Sequence, residues 1–444
     1  MRNVKKVIAA AAAVATLVGL AACGGGDDAA SVDTDTANAK GEVVFWGWGN
    51  GIKETIAAFE KDNPGITVKY SSTGTAADTA TALQNAVAAG KGAPDVVMME
   101  DATISQFAVD GSIVDLSPFG AEKLESDFAA GPWAKMLQGE GKPYALPIDS
   151  SPEVFFYNKA VFDKAGVDGE SIKTWDDYYK AAKKIRALGD DYYIANNAGD
   201  SNGYQPFTAQ AWQAGSTPWK VDGENITIDM NDKGMQRYVA FQQKLIDEGL
   251  INTKISNWSD DWYRSLGDGT TASLTIGAWM PTNLESSAAA GKGNWRVAQL
   301  PQWKDGDQAS SEDGGSALAI TEQSKNKAAA YKFIEYLTHG NGAQVMADHG
   351  TFPAKTAILD DEDFQSQKNE YFGGQEVNRV LVEAAKRKVS KFQYLPYNPY
   401  AQSKYGDDIA PAYQGKKTLK EAMQAYAKTL ADYGDQQGYT VTVK

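Results

Sequence analysis

Short apolar runs alternate with amphipathic stretches through the first hundred residues that follow a polar N-terminal segment. The apolar runs at 42–46, 67–70 and 95–99 have the length of buried strands, and the stretches at 52–62 and 76–89 have helical spacing. Strands that alternate with helices form mainly parallel sheets with helices on both faces. This pattern therefore predicts an α/β domain.

A second helix-rich region follows an extended stretch at 147–157. Thr174 and Asp177 are placed as a capping box for a helix over 175–188, and Gly189 ends it. A second helix is predicted over 233–248, again closed by a glycine. Short apolar runs at 192–195, 272–276 and 295–299 predict a second sheet.

The glycine-rich run at 312–320 predicts a strand that returns the chain to the first domain and leads into a helix over 327–338. The C-terminal helices, one of which starts with a capping box at Thr418 and Glu421, are assigned to the second domain. Two lobes joined by several extended crossings can hinge about a cleft. The predicted ranges are 1–22 for a signal peptide, 23–40 for a flexible tether, 41–149 plus 316–368 for the N-terminal lobe, and 150–315 plus 369–444 for the C-terminal lobe.

The N-terminus has the pattern of an export signal. A basic start with Arg2, Lys5 and Lys6 precedes an alanine-rich apolar run at 7–20, which is too short and too weakly apolar to span a bilayer. Leu20-Ala21-Ala22-Cys23 resembles the bacterial lipobox, and Cys23 is the sole cysteine. We expect cleavage before Cys23 and a thioether-linked diacylglycerol on its thiol, which would anchor the protein to the outer face of the cytoplasmic membrane.

Charge and composition exclude several functions. Three of the 43 basic residues lie in the predicted signal, so the processed chain carries 40 basic against 57 acidic residues, which disfavours nucleic acid as a partner. Acylation would use the sole thiol, and the two histidines, His339 and His349, fall in a helical stretch where structural roles are expected. We predict no metal and no cofactor. Eleven tryptophans supply aromatic faces beyond the needs of packing.

Three motifs suggest chemistry that their details do not support. The glycine-rich loop at 47–51 lacks the third glycine of a dinucleotide fingerprint, since Ile52 stands there. The G-x-S-x-G match at 199–203 is followed by Pro206, which is expected to prevent the helix that a nucleophile elbow requires. The acidic run at 229–234 has a lysine at a ligand position of a calcium loop.

Paired carboxylates offer a sharper alternative. They occur at Glu100 and Asp101, at Asp149 and Glu153, at 260–261 and at 312–313. A glycosidase needs two carboxyl groups about 5–10 Å apart across the scissile bond, a distance that the sequence does not give. Sugar binding needs only one carboxylate that accepts hydrogen bonds from hydroxyl groups. Both interpretations stay open, and binding is the less demanding one.

Motifs in order along the chain resemble the extracellular solute-binding proteins of carbohydrate-uptake ABC importers, the family that includes maltose-binding protein. Besides the lipobox, they are VFW at 44–46, AFEKDNPGI at 58–66, GAPDVV at 92–97, YALP at 144–147, FYNK at 156–159, TWDD at 174–177, TIGAW at 275–279 and GGSALAI at 314–320. The resemblance implies a two-lobed periplasmic-binding-protein-like fold of type II, each lobe a mixed, mainly parallel sheet flanked by helices. It also implies no catalysis.

The resemblance places Trp279 where this family often has a stacking tryptophan, Glu100 and Asp101 in a polar loop, and Asp149 and Ser150 at the cleft. Tyr397 and Tyr400 match a C-terminal aromatic loop loosely. Met99 stands where maltose-binding protein has a stacking tryptophan, which disfavours maltodextrin. Further aromatic platforms are expected from the residues Trp48, Trp212, Trp258 and Trp262. Asn50 and Asp313 are expected to form further hydrogen bonds with the sugar hydroxyls. Several of these aromatic residues are expected to lie in the core.

The sequence thus predicts a monomeric, lipid-anchored receptor that closes on a neutral oligosaccharide and delivers it to the transmembrane subunits of an ABC permease. Closing removes water from the cleft and strengthens each hydrogen bond made there. Two rivals remain. Polyamine receptors share the architecture, and an acidic aromatic cleft also suits a cation. An exported hydrolase that uses a carboxylate pair is the second.

Overall fold

The computed structural model describes residues 33–138, 141–389 and 392–444. The predicted signal peptide and the lipid site at Cys23 lie outside the described residues. The α-helices are α1 (Ile52–Asp62), α2 (Ala76–Ala88), α3 (Asp101–Val109), α4 (Ala130–Met136), α5 (Lys159–Lys164), α6 (Trp175–Arg186), α7 (Tyr204–Gln213), α8 (Lys233–Asp247), α9 (Asp260–Asp268), α10 (Met280–Ser287), α11 (Lys327–Thr338), α12 (Asn341–Asp348), α13 (Thr356–Leu359), α14 (Glu362–Gln365), α15 (Val377–Ala385), α16 (Asn398–Tyr413) and α17 (Leu419–Gln436).

The strands are short, and most lie between helices. They are β1 (Gly41–Gly47), β2 (Ile66–Ser72), β3 (Val96–Glu100), β4 (Leu137–Gln138), β5 (Lys142–Pro143), β6 (Leu146–Pro147), β7 (Glu153–Asn158), β8 (Ala195–Asn196), β9 (Trp219–Asp222), β10 (Asn225–Ile228), β11 (Ile251–Asn252), β12 (Ser273–Gly277), β13 (Trp295–Ala298), β14 (Ala309–Ser310), β15 (Ser316–Ile320), β16 (Lys388–Val389) and β17 (Thr440–Val443). In the described part of the chain, no helix has the length and apolar character needed to cross a bilayer.

The first lobe is built on a five-stranded sheet in the order β2-β1-β3-β15-β6. The first three strands are parallel, as predicted, and β15 runs antiparallel to both of its neighbours. Successive residues of β3 enter different apolar clusters, with Met98 in one and Val97 and Met99 in the other. Both faces of the sheet are therefore covered, as the uninterrupted apolar pattern requires.

The second lobe is built on a three-stranded sheet in the order β12-β7-β13. Phe155 and Tyr157 of β7 enter one apolar cluster, and Val154 and Phe156 enter another. This sheet differs from the prediction of a mainly parallel sheet, because β12 and β13 both run antiparallel to β7. β7 starts at the crossings, and its two neighbours run back toward the first lobe. One end of each of the three strands therefore lies near the crossings.

The predicted helix boundaries hold where a cap defines them. Thr174 and Asp177 form both hydrogen bonds of a capping box at the start of α6, and Thr418 and Glu421 do the same for α17. One prediction is wrong: α7 begins at Tyr204, and Pro206 lies inside its first turn. Proline is tolerated there because the amides of the first helical turn have no partner within the helix.

Three crossing segments join the lobes, and we define them as residues 148–153, 311–316 and 350–354. Backbone hydrogen bonds tie them side by side: the Ser150 amide donates to the Phe352 carbonyl, and the Asp313 amide donates to the Ser151 carbonyl. Phe352 and Phe364 pack in an apolar cluster that also contains Val154 and Phe156 of β7.

Candidate functional site

The edge of the first-lobe sheet that faces the crossings carries polar residues. Trp48 follows β1, Glu100 ends β3 and Asp149 follows β6, and these three parallel strands end at the same edge. Ser316 starts the antiparallel β15 beside Glu100. Open α/β sheets place their binding crevices at the carboxyl ends of the parallel strands. This edge is therefore the natural wall of a ligand site.

The second-lobe sheet presents a matching edge. Glu153 starts β7 opposite Gly277, which ends β12 and leads to Trp279. The Trp279 indole N–H donates to the Asp313 carbonyl on a crossing segment at 2.8 Å. A Cβ on Gly277 would lie 2.5 Å from that carbonyl oxygen and from Nε1 of Trp279, so only glycine fits beneath this hydrogen bond. The tryptophan is thus oriented by the crossing itself.

Side chains of the crossing segments reinforce their pairing. Glu312 accepts a hydrogen bond from the Ser151 amide at 2.7 Å, and Asp149 accepts one from the Ser316 amide at 2.5 Å. Glu153 accepts one from the Ser311 hydroxyl at 2.8 Å. Each carboxylate therefore links two segments that are more than 150 positions apart in sequence.

Six buried or partly buried carboxyl groups and one lysine gather at these two edges. The carboxyls belong to Glu100, Asp101, Asp149, Glu153, Glu312 and Asp313, and the lysine is Lys135 of α4. Burial raises the carboxyl pKa to about 7 for Glu100, Asp149, Glu312 and Asp313, and to about 8 for Glu153. Burial also raises the pKa of Asp101, while the neighbouring Lys135 ammonium acts in the opposite direction.

These carboxyl groups predict a pH-dependent stability. Between their ordinary pKa values of 3.8–4.5 and the raised values of about 7 to 8, the folded state binds more protons than the unfolded state. Stability is therefore lost as the pH rises through that window. We expect the unfolding temperature to fall by about 5 °C or more between about pH 5 and about pH 8. Calorimetry measures this, and Glu312→Gln should flatten the profile; a profile that rises with pH would contradict the expectation.

Two indoles stand together beside the second-lobe edge. Trp258 lies 5.3 Å from Trp279 between ring centroids, with 35° between the ring planes, and 41 % of Trp258 is exposed. Trp258 has φ 70°, the sole positive φ at a non-glycine position in the described ranges. A bulky residue in that conformation is strained by about 1–3 kcal/mol, and such strain clusters at ligand sites.

Hydrogen bonds to neighbouring loops fix the Trp258 backbone. Asn196 donates to the Ile255 carbonyl and to Oδ1 of Asn257, and Asn202 donates to the Asn257 carbonyl. These bonds hold residues 255 and 257, so the chain just before the strained Trp258 backbone is fixed while the indole is exposed. Apolar ring faces of this kind can stack on the C–H face of a sugar.

Two cavities lie between the lobes. The larger, of about 450 Å³, is lined by Lys135 and other residues of α3, α4 and β4, and from the second lobe by residues 221–223 and 392–394. The smaller, of about 210 Å³, is lined by Trp279, α10 and residues 350–352. The lobes also meet where α3 contacts α16.

The two-lobed architecture is shared with solved structures of known binding proteins. The profile of the bacterial extracellular solute-binding protein family matches residues 47–339. The chain belongs to this family. Among solved structures, an ABC transporter associated binding protein from B. animalis subsp. lactis Bl-04, in complex with beta-1,6-galactobiose, is 42% identical with a TM-score of 0.79, and the match covers 91% of this chain and 100% of that one.

Two further relatives of this solute-binding protein are similar over most of their length. The galacto-N-biose-/lacto-N-biose I-binding protein from Bifidobacterium longum, in complex with lacto-N-biose, is 26% identical with a TM-score of 0.78 over 91% of this chain and 99% of that one. An arabinooligosaccharide-binding protein of Halalkalibacterium halodurans is 23% identical over 91% of this chain and 92% of its own. These relatives are binding proteins by name.

The structure of this solute-binding protein separates the predicted site residues into groups. Glu100, Asp101, Asp149, Ser150 and Asp313 lie together at the crossings, and Ser150 has a buried hydroxyl without a hydrogen-bond partner in the described residues. Trp258 and Trp279 form the indole pair. Trp48 is half-buried against the first-lobe core, and Asn50 is exposed in the same loop.

Two predicted platforms, Trp262 and Tyr397, are covered by protein and need correction, and a third, Tyr400, is covered on one face. Trp262 is fully buried, and its indole N–H donates to Asn196, so it supports Trp258 from below rather than presenting a face. Tyr397 is buried in a core cluster of the second lobe. Tyr400 stacks on Tyr433 with ring centroids 3.6 Å apart, which occupies one of its faces.

Trp212 is also buried, and it stacks on Phe392 at 4.8 Å. Its ring, however, lies at the lobe boundary, because Lys135 of the first lobe approaches its centroid to 5.7 Å.

Sequence reasoning missed Lys135 and Tyr394 as members of the site. Lys135 is one of many lysines in the chain, and its helix has no capping signal. Tyr394 lies in an irregular segment next to the acidic cluster, where burial and nearby carboxylates raise its pKa. Glu153 and Glu312 were recognised as carboxylates near the crossings, but their burial was not. Tertiary contact alone identifies these four residues.

The G-x-S-x-G match does not form a nucleophile site, although the reason differs from the predicted one. Ser201 lies in a short 3₁₀ turn before α7. The ring nitrogens of His339 and His349 bond instead to Asp127 and to the Val345 carbonyl, both in the first lobe. Asp232, from the acidic run at 229–234, caps α8 through the Met235 amide.

Proposed function

We propose that this protein is a lipid-anchored receptor, attached through Cys23 to the outer face of the cytoplasmic membrane, that captures a short galacto-oligosaccharide. It binds as a monomer and delivers the sugar to the transmembrane subunits of an ABC permease. The observation that carries the ligand class is the 42% identity, over the full length of that chain, with a protein bound to beta-1,6-galactobiose. The predicted lobe ranges and the tether at 23–40 belong to this proposal.

The site chemistry supports a hydroxyl-rich, uncharged ligand. The Trp258 and Trp279 pair offers an apolar face, and apolar ring faces suit the carbon skeleton of a sugar. Neither oxygen of Asp313 meets hydrogen-bond geometry with a partner in the described residues, although the Gly277 amide lies close enough to lower its pKa. Oε1 of Glu153 is a second buried acceptor without a partner in hydrogen-bond geometry among the described residues, although the side chains of Thr275 and Gln210 lie close to Glu153. Sugar hydroxyls would satisfy such acceptors, whose burial without a partner is costly.

Titration calorimetry with three probes tests the ligand class. We expect beta-1,6-galactobiose to bind at least about tenfold more tightly than maltose, with a negative heat-capacity change from burial of the indole faces. Spermidine should give no heat of binding, because its ammonium groups would enter beside the Lys135 ammonium group, which repels them. Arabinobiose is the matched neutral control suggested by the arabinooligosaccharide-binding relative.

Two outcomes would contradict the proposal. Binding of spermidine without binding of galactobiose would favour the polyamine alternative. Recovery of cleaved galactobiose after incubation, measured by chromatography, would favour the hydrolase alternative, in which two of the clustered carboxyl groups face each other across the bond. Intact sugar and saturable heat support a receptor.

A further inference from the structure

Lys135 joins three parts of the molecule through one ammonium group. Its Nζ pairs with Oδ2 of Asp101 on the first lobe at 2.5 Å and donates to the Gly314 carbonyl on a crossing segment at 2.9 Å. The same atom lies 5.7 Å from the centroid of the Trp212 ring, which belongs to α7 of the second lobe. The Lys135 side chain is 5 % exposed.

The contact with Trp212 is a cation–π interaction made away from water. Lys135 and Trp212 are both buried, and the indole also stacks on Phe392. Cation–π contacts are worth about 0.5–1 kcal/mol when exposed and about 2 kcal/mol or more when desolvated. Opening of the lobes would hydrate both partners and remove most of this attraction.

Charge at the crossings favours the same position of Lys135. Asp101, Asp149, Glu312 and Asp313 all experience the Lys135 ammonium as a stabilising charge. These groups come from the first-lobe edge and from two of the crossing segments. When the lobes approach, water is excluded from this cluster, and the lysine offsets part of the repulsion between the carboxylates.

We infer that Lys135 is a positioning residue, an interlobe latch that stabilises the closed arrangement of the lobes by holding Asp101, Gly314 and Trp212 together. The role of the latch in ligand capture rests on the proposed receptor function, because closure is what retains the sugar. The latch itself is a property of the protein without ligand. Its loss lowers the closed fraction of the ligand-free protein, and sugar binding weakens by the factor by which that fraction falls.

Distances between two spin labels, measured by electron–electron double resonance, test the latch in the full chain. The labels are placed by K61C on α1 and K420C on α17, both at exposed lysines on opposite lobes, in a C23A background that removes the sole native cysteine. K135M keeps the length of the side chain and removes its charge. We expect K135M to lower the ligand-free population with short interlobe distances about tenfold or more, because the variant loses a desolvated cation–π contact.

A double-mutant cycle separates a latch from general damage. W212L removes the ring from the other lobe, and K135M with W212L should be no more open than either single variant. D101N with K135M removes both charges and guards against misfolding caused by an unpaired buried Asp101. K142M, at an exposed lysine that pairs with Asp115, is the matched control and should match wild type.

Unchanged distances in K135M and in the D101N K135M double variant would overturn the latch, and so would strictly additive effects of K135M and W212L. These readouts need no sugar. If galactobiose fails to bind wild type while K135M still opens the lobes, the ligand proposal fails and the latch stands.

Discussion

Replacing Trp279 with alanine is expected to weaken galactobiose binding about tenfold or more while leaving the unfolding temperature nearly unchanged. Trp279 is half-buried at the end of the second-lobe sheet, stands beside Trp258, and is fixed by its hydrogen bond to the Asp313 carbonyl. The variant removes a rigid apolar face and leaves the neighbouring Trp258 indole less firmly held. Titration calorimetry with beta-1,6-galactobiose measures the loss.

Trp279→Phe is the matched control for that variant. Phenylalanine keeps an aromatic face but has no N–H to donate to Asp313, so the difference between the two variants separates stacking from orientation by the crossing. We expect the phenylalanine variant to retain an intermediate affinity. Wild-type affinity in Trp279→Ala would remove this residue from the site and leave Trp258 without its predicted partner.

Replacing Asp313 with asparagine is expected to change affinity and stability in opposite directions. Hydrogen bonds to a charged group contribute about 1.5–3 kcal/mol, so loss of the carboxylate should weaken galactobiose binding about tenfold to a hundredfold. The free protein should become more stable above about pH 7. Burial disfavours the charged Asp313 carboxylate, which raises its pKa to about 7, and the neutral asparagine side chain carries no such penalty. Calorimetry and thermal unfolding measure the two effects.

Asp307→Asn is the control for that substitution, since Asp307 is exposed in the stretch that precedes the same crossing. It should change neither quantity. Equal losses of affinity and stability in Asp313→Asn would contradict the prediction, because they would mean that Asp313 supports the fold rather than the ligand.

The fold was predictable where apolar periodicity and helix caps define it locally. The parallel arrangement of β1, β2 and β3 followed from alternation of strands and helices, and α6 and α17 start at their predicted capping boxes. Strand direction in the second lobe was not predictable in this way, because more than a hundred residues of other elements separate β7 from its two neighbours, β12 and β13. The sequence does not predict the start of α7, because proline breaks a helix in its interior, whereas Pro206 occupies the first turn.

The site was predictable in its chemical type and only partly in its members. Carboxylates that follow strands are visible in sequence, and five of the predicted residues gather at the crossings as described. Whether a tryptophan is a platform or core depends on side-chain packing: Trp258 and Trp262 are four positions apart, yet one is 41 % exposed and the other fully buried. Lys135 has no local signal, because its partners are 34 and 179 positions away.

The three crossing segments have a mechanical consequence. Because the Ser150 and Phe352 backbones and the Ser151 and Asp313 backbones are bonded to each other, none of the three connections can bend independently of the others. Sliding of one half past the other would break these bonds, whereas a pivot about the bundle preserves them. The paired crossing segments therefore favour rotation of one half relative to the other over translation.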